Sequence, residues 1–477
     1  MTFYSNMKNK LVYKYIGKVL IAFSALMALP MIVCIIYKEN SIPFFIPAFL
    51  SLLIGFLLNR LNSKNKLLYA KDGFVIVALS WIITSFLGAL PFVINKDASF
   101  IDALFEAVSG LTTTGATAFS DVEQLGYGIQ FWRAFMHFIG GMGVLAFVMA
   151  VIPLSGNDKS MHVLKAEMPG PSVAKLVPSI KKTLMYLYGI YVFLAFFETV
   201  LLLFGGLDLF SSILTSFSTA GTGGFSLLNS SLATYSTFNK YVVGIFMFLF
   251  GINFNIYFLL LMKDIKSVLK SEELKTYFFL FIFSVLFIFI NTYTMFSNMK
   301  DAFTESFFHV SSIMTSTGFV IGDINIFPTS CRILFLALML ISACAGSTCG
   351  GFKIARLIIV VKTIKRELLK AIHPNCVRTI TFEGKKVEED TVRSTCTYML
   401  LYIIFIIVIL FIVSFDKVTF SQAVNSVFTT FGNVGLCFDV STFADFSILS
   451  KIVLSIGMLL GRLEILPMMV LFSDIRK

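Results

Sequence analysis

The sequence predicts an all-α polytopic membrane protein with four pseudo-repeats of helix, re-entrant loop and helix, preceded by two extra N-terminal helices. Three observations predict it. The first is composition. Of the 477 residues, 57% are hydrophobic and 14% charged, 54 are phenylalanine, and the mean hydropathy is +0.87. Soluble proteins carry roughly 25% charged residues, and a soluble globule could not hide this much apolar surface, so a soluble enzyme is excluded. Disorder needs low hydrophobicity and high net charge, and is excluded too. The second observation is a series of ten apolar runs near the ~20 residues a membrane crossing requires. The third is a ten-residue pattern that recurs four times between those runs.

The runs cover roughly 16–37, 43–60, 73–94, 129–153, 183–206, 240–262, 276–294, 331–360, 392–415 and 448–472. The first follows Lys8, Lys10, Lys14 and Lys18, as a signal peptide would. Its apolar core is longer than the usual ~7–15 residues and lacks a clear small-x-small cleavage site, so it reads as a retained helix. With the N-terminus inside, the inner segments hold 29 Lys and Arg and the outer segments 8. That bias predicts a cytoplasmic N-terminus and a cytoplasmic C-terminus. The net charge of +11 therefore belongs to inner loops, and no basic–aromatic nucleic-acid motif accompanies it. Cys34, Cys331, Cys344, Cys349, Cys376, Cys396 and Cys437 show no C-x-x-C spacing, and their odd number argues against a full disulfide framework. His137, His162, His309 and His373 lie far apart in sequence, which disfavours a metal site.

Four outer connections are too short for domains and too apolar for solvated loops. Non-helical backbone at membrane depth is tolerated where it is buried in protein or lines a water-filled cavity, so these read as re-entrant segments. Aligned on Gly115, Gly224, Gly318 and Gly435 they are EAVSGLTTTG (106–115), TSFSTAGTGG (215–224), HVSSIMTSTG (309–318) and SVFTTFGNVG (426–435). Six positions before each glycine stands Ser109, Ser218, Ser312 or Thr429; two before it stands Thr113, Thr222, Ser316 or Asn433. The glycine spacings are 109, 94 and 117 residues. Each window opens with a helix-compatible stretch (101–111, 208–217, 301–313, 419–430). The unit is thus helix, half-helix, glycine-containing strand, helix. The expected division is an extra pair at 1–65, then repeats at 66–175, 176–270, 271–385 and 386–477, with pore loops near 112–116, 221–225, 315–319 and 432–436. Four such loops about a pseudo-fourfold axis would enclose a central ion pore. Rings of carbonyls there can replace the water around a cation, and half-helix C-termini add negative potential. Glycine is expected because φ > 0 is cheap only for Gly. The hydroxyl residues can brace the strand.

At these residues the chain resembles the Trk/Ktr/HKT superfamily of potassium transporters, most closely its TrkH/TrkG branch. The resemblance rests on LTTTGATAF (111–119), WRAFMHFIGGMGVLAFVMAVIP (132–153), KAEMPGPS (165–172), FSTAGTGGFS (217–226), TSTGF (315–319), GNVG (432–435), SACAGSTCGGFKIARL (342–357) and GRLEI (461–465). It implies potassium uptake through a four-loop filter in a bacterial plasma membrane. It implies a homodimer and a cytosolic nucleotide-binding regulatory subunit of TrkA type, with no cofactor in this chain and potassium as the substrate. Potassium coordination would fall on Thr113, Thr114, Gly115, Thr222, Gly223, Gly224, Ser316, Thr317, Gly318, Asn433, Val434 and Gly435. Leu436 stands where family members often carry proline. No Walker loop, close-spaced nucleophile or paired-acid motif points to an enzyme. A poorly selective K+/Na+ pathway of the same fold and, further off, an organic-solute secondary transporter remain as alternatives.

The run at 331–360 is too long for one span and is interrupted by ACAGSTCGG (343–351), whose glycines penalise a helix. Ala343, Gly346, Ser347, Thr348, Gly350 and Gly351 read as an intramembrane gate loop below the filter; the same small residues would suit close helix packing. Arg462 lies in an apolar run, where a charge costs ~2.5–3.5 kcal/mol on insertion scales and should face the bundle interior. Its partners are expected among backbone carbonyls such as those of 343–351, as a latch and electrostatic barrier; a structural arginine is the simpler role. Glu464 would point to another side of the helix. Glu106 is expected at the mouth as an attractor of cations, and the basic segment 353–393 as the contact for a soluble partner.

Overall fold

The chain is described here in a computed structural model covering residues 10–61, 70–143, 180–440, 442–463 and 465–472. The link at 165–172 and Glu464 lie outside the described residues. The architecture is helical throughout; the sheet content of the described residues is one two-stranded hairpin.

The N-terminal pair comprises α1 (Lys10–Leu26), α2 (Ala28–Ile36) and α3 (Ile42–Asn59). The first expected span breaks at Met27, three residues before Pro30. The proline ring clashes with the carbonyl four residues back, at Leu26, where α1 stops. α1 and α3 touch through glycines: a methyl built on Gly17 would run into the Gly55 carbonyl. Ser51 and Ser24 donate to Leu20 O and Ala48 O at 2.8 Å. Small residues let helices approach this closely in a bilayer. The outer face of α3 leaves Phe49 55% and Leu57 57% exposed, as suits lipid contact.

Each repeat then begins with a long apolar helix: α4 (Ala70–Ile94), α7 (Ile180–Phe204), α12 (Glu272–Thr292) and α16 (Glu389–Val413). α4 is mostly buried, whereas the other three bury little more than a quarter of their apolar window. Those three are hydrophobic all round and mark the lipid-facing rim. The half-helices are α5 (Phe100–Leu111), α8 (Leu209–Ala220), α13 (Met299–Met314) and α17 (Phe420–Phe431). Their N-cap residues are Ser99, Asp208, Asn298 and Thr419, all from the set that caps helices well. Ser99 and Asp208 accept from Asp102 N and Ser211 N, and Thr419 forms a full capping box with Gln422.

The returning helices are α6 (Tyr127–Gly141), α9 (Thr237–Phe250) with α10 (Phe254–Leu261), α14 (Thr329–Leu340) with α15 (Ile354–Ile372), and α18 (Ile448–Leu463) with α19 (Ile465–Phe472). Within the described residues the first stops at Gly141 and the second is interrupted, unlike the continuous spans expected for both, and the third is interrupted as well. α9 and α10 bend by 89°. Among the described residues, six helices are long and apolar enough to cross a membrane, or seven with that bent pair. Glycines let the returning helices touch the half-helix ends. A methyl on Gly140 would meet the Leu111 carbonyl, and one on Gly461 the Phe431 carbonyl. α11 (Ile265–Lys270) and the hairpin β1 (Thr381–Phe382) and β2 (Lys385–Lys386) complete the chain, with Thr381 opposite Lys386.

The repeats close into a ring. The half-helix of each packs on the returning helix of the one before: α8 on α6, α13 on α9, α17 on α14, and α5 on α18. Lys451 of α18 and Asp102 of α5 seal the last junction at 2.5 Å.

Candidate functional site

All four half-helices end in the same way. The helix amides run out, and two turn-like hydrogen bonds close each C-terminus. In the first, Thr113 N bonds to Gly110 O at 3.2 Å and Thr114 N to Ser109 O at 2.8 Å. The same pair recurs at Thr222 and Gly223, at Ser316 and Thr317, and at Asn433 and Val434. This is a Schellman motif, which puts the residue after the cap into the left-handed region, usually as glycine. Here that residue is Thr113 (φ 54°), Thr222 (φ 54°), Ser316 (φ 52°) or Asn433 (φ 55°). Left-handed backbone costs a non-glycine residue roughly 1–2 kcal/mol, and for β-branched threonine it is a true outlier. Strain of this kind persists where the surroundings over-determine it.

Two residues on, each chain turns left-handed again, now at Gly115, Gly224, Gly318 and Gly435, with φ between 75° and 85°. A side chain is excluded twice over. A methyl on Gly115 would run into the carbonyl of Gly223, on Gly224 into Thr317 O, on Gly318 into Val434 O, and on Gly435 into Thr114 O. Each strand thus leans its penultimate carbonyl on the glycine of the preceding repeat. The twelve residues singled out at the four loops form one cyclic layer.

Backbone carbonyls in that layer are unclaimed. Among the described residues no hydrogen bond is donated to the carbonyl oxygens of Thr114, Gly223, Thr317 or Val434, nor to those of the residues on either side of each. Thr113, Thr114, Thr222, Ser316, Thr317, Asn433 and Val434 are all fully buried. Several side chains of the set are instead turned to protein partners. Thr114 Oγ1 lies 2.8 Å from Thr112 Oγ1 and accepts from Asn433 Nδ2 at 2.9 Å. Asn433 Nδ2 also donates to Met458 O at 2.9 Å. Ser316 Oγ accepts from Gly350 N at 3.1 Å. The hydroxyls six positions before the glycine brace the strand in two repeats: Ser312 Oγ donates to Phe319 O at 2.7 Å and Thr429 Oγ1 to Leu436 O at 2.5 Å.

Above the glycines opens a cavity of about 810 Å3, floored by Gly115, Gly224, Gly318 and Gly435. Its wall is cyclic too. Val122 N bonds to Asn229 Oδ1, Leu232 N to Val320 O, Asp439 N to Asn325 Oδ1 and Phe443 N to Thr117 O. Asp323 and Asp439 line it, against Arg133. Glu106 is not a free attractor at this mouth. It is fully buried, receives Arg133 Nε at 2.8 Å and Ala118 N at 2.9 Å, and so braces the strand after Gly115. The Arg133 guanidinium stacks over Phe225, 4.2 Å from the ring centre. Glu198, buried beside Ser216 and Thr219 of α8, is a further carboxyl that hydropathy did not flag.

Below the ring lies the non-helical stretch between α14 and α15. Ile341 and Phe352 pair at its neck, and Gly346 and Gly351 take φ near 70°. Cys344 N donates to Gly251 O, and Phe254 N to Gly346 O, so the stretch is stitched to the α9–α10 bend. Ala343, Ser347 and Thr348 lie within it; Thr348 Oγ1 reaches Phe250 O at 3.4 Å. Gly350 sits under the ring, where a methyl would strike Asn433 Oδ1. Arg462 donates from Nη1 to Thr348 O, and from Nη2 to Gly140 O and Gly141 O at 2.6 Å each. It thereby ties this stretch to the end of α6. Lys353, counted with the inner basic residues in sequence, is fully buried instead and donates to Cys349 O.

Comparison with known proteins identifies the family. Residues 41–476 match the TrkH family, described as cation transport protein. The Trk system potassium uptake protein TrkH of Escherichia coli (strain K12) is 33% identical, over 98% of this chain and 99% of that one. TrkG of the same strain is 34% identical, over 94% and 95%. The crystal structure of the potassium transporter TrkH from Vibrio parahaemolyticus superimposes with a TM-score of 0.88 at 28% identity, covering 98% of this chain and 99% of that chain. The chain therefore belongs to the TrkH family of cation transport proteins, a family of multi-pass membrane transporters rather than enzymes.

Proposed function

We propose that this protein takes up potassium across a bacterial inner membrane, as the translocating subunit of a Trk-type system. The observation that carries the proposal is the set of buried carbonyl oxygens around the four glycines that no protein donor satisfies. Buried carbonyls are nearly always paired, and an orphaned set calls for a ligand. Carbonyl oxygens in a ring suit a dehydrated monovalent cation. Half-helix C-termini point their negative ends at the same place. The relatives named as potassium uptake proteins supply the ion.

In this mechanism a cation enters the vestibule, sheds water as the carbonyls of Thr114, Gly223, Thr317 and Val434 and their neighbours take its place, and stops at the stretch 343–351. Arg462 holds that stretch and adds a positive charge beneath the ring, so the closed state opposes a cation sterically and electrostatically. Opening requires Thr348 to leave Arg462. A homodimer and a cytosolic nucleotide-binding partner on the basic inner segment complete the proposal, with both termini cytoplasmic by the Lys and Arg bias.

A second reading has the same ring passing sodium as well. The ring supports it by presenting four different sequences, including Val434 and Leu436. Rubidium uptake in potassium-starved cells lacking their own uptake systems separates the two. Potassium is expected to compete and sodium not. Equal competition by sodium would leave the pathway and remove the selectivity; no rubidium entry with the chain present in the membrane would sink the proposal.

A further inference from the structure

The intramembrane stretch is also held from the inner end of the molecule, through a chain of hydrogen bonds that begins at the β1–β2 hairpin. The hairpin turn is Glu383–Gly384, both left-handed, at φ 51° and 71°. That is the two-residue turn whose twist matches paired strands. It projects the Glu383 carboxylate onto the start of α12. Glu383 Oε1 accepts from Ser271 Oγ at 2.8 Å and from Glu273 N at 3.0 Å. Ser271 is itself the N-cap of α12, accepting from Leu274 N. The hairpin thus supplies a second cap to a helix end whose dipole favours negative charge.

The next residue carries the link inward. Glu273 is 4% exposed, and its Oε1 accepts the amide of Ala345 at 2.6 Å, inside the stretch between α14 and α15. Its Oε2 lies 3.4 Å from Asn253 Nδ2, at the α9–α10 bend to which the stretch is stitched. A backbone amide held by a carboxylate is among the stronger hydrogen bonds in a protein. The hairpin is not a loose appendage. Ile380, Ile359 and Val392 form a small apolar core with Val387 packed on it, and Lys362 of α15 bonds to both Glu272 and Thr381 O.

We propose that Glu383 is a positioning residue for the intramembrane stretch, acting through the N-terminus of α12 and Glu273 on Ala345. A hairpin seated on α12 holds Glu273 in the orientation that grips Ala345; a hairpin drawn away lets α12 fray at its first turn and frees that amide. A cytosolic partner that engages the exposed hairpin then has a route to the stretch without touching it. The gating half of this inference rests on the transport proposed above; the positioning half does not.

The test uses the full chain in lipid nanodiscs and two variants. Glu383→Gln keeps an oxygen that can accept from Ser271 and Glu273 N; Glu383→Ala does not. Hydrogen–deuterium exchange of the peptide containing Ala345 reads the positioning directly. Exchange should quicken by about threefold to tenfold in Glu383→Ala, the loss of about one net hydrogen bond, and stay near wild type in Glu383→Gln. Equal exchange in all three proteins would overturn the proposal. Partner-free rubidium uptake reads the gating half: it should rise several-fold in Glu383→Ala alone, with potassium-over-sodium preference unchanged. Faster exchange with unaltered uptake would overturn the connection to gating, and a wild type that admits no rubidium would overturn the transport reading while the exchange result stood.

Discussion

Gly435 of the last loop lies against the carbonyl of Thr114 in the first, close enough that a methyl on the glycine would displace it. This contact closes a cycle that runs through Gly115 on Gly223, Gly224 on Thr317 and Gly318 on Val434. A ring so closed cannot widen at one junction without disturbing the others, so the spacing of its carbonyls belongs to the whole fold.

Gly435→Ala should therefore damage the ring. The left-handed backbone at φ 80° costs alanine roughly 1–2 kcal/mol, and the clash with Thr114 O adds to it. The potassium-over-sodium preference of rubidium uptake should collapse, with flux retained and the protein still in the membrane. Gly189→Ala is the control, because nothing lies within 4 Å of a methyl there; its uptake should match wild type.

Asn433 should resist substitution for a different reason. Its Nδ2 holds Thr114 Oγ1 and Met458 O together. Asn433→Asp removes the donor at nearly constant shape and leaves buried oxygens facing one another. A loss of about 1–3 kcal/mol follows from such an unmade bond, visible as a lower unfolding temperature in detergent together with reduced uptake.

Arg462 joins the intramembrane stretch to α6 by three carbonyls. A hydrogen bond from a charged group contributes ~1.5–3 kcal/mol, and each 1.4 kcal/mol is a factor of ten. Arg462→Ala should raise partner-independent uptake about ten- to hundredfold. Arg462→Lys, a single point charge without the planar fork, should fall between. Unchanged transport kinetics in both would remove the latch.

The Glu106–Arg133 pair is buried on both sides, at 0% and 3% side-chain exposure. Removing one partner of such a pair costs about 3–5 kcal/mol because the other charge is stranded. Glu106→Leu and Arg133→Leu should each lower membrane abundance and thermal stability sharply, and the double variant should recover part of the loss. Additive losses would mean that the two groups act separately.

The four windows were legible in sequence because they are local. Each is a half-helix, a cap and a glycine within ten residues, and the polar residue two before the glycine is the one that enters the left-handed region. The order in which the loops meet was not legible, because Gly435 and Thr114 sit in different repeats. Hydropathy likewise joined 240–262 into one span, although Gly251 and Asn253 let it turn by 89°. It counted Lys353 as a solvated inner charge; tertiary contacts bury it against Cys349 O. Glu39 passed unnoticed, yet its carboxylate caps α6 at Tyr127 N and Gly128 N, 2.8 and 2.9 Å away, and ties the N-terminal pair to the first repeat. Such contacts between residues far apart leave no periodic trace in one chain.

The central claim is that the glycine ring selects potassium, and Gly318→Ser tests it most directly. Serine there must adopt φ 85° and displace Val434 O, which opens one of the four junctions. The measurement is the ratio of sodium to potassium flux through purified protein in liposomes, wild type against variant. The account predicts a strong potassium preference in the wild type and its collapse in Gly318→Ser with flux retained. Equal sodium and potassium flux in the wild type, or an unchanged ratio in the variant, would contradict it.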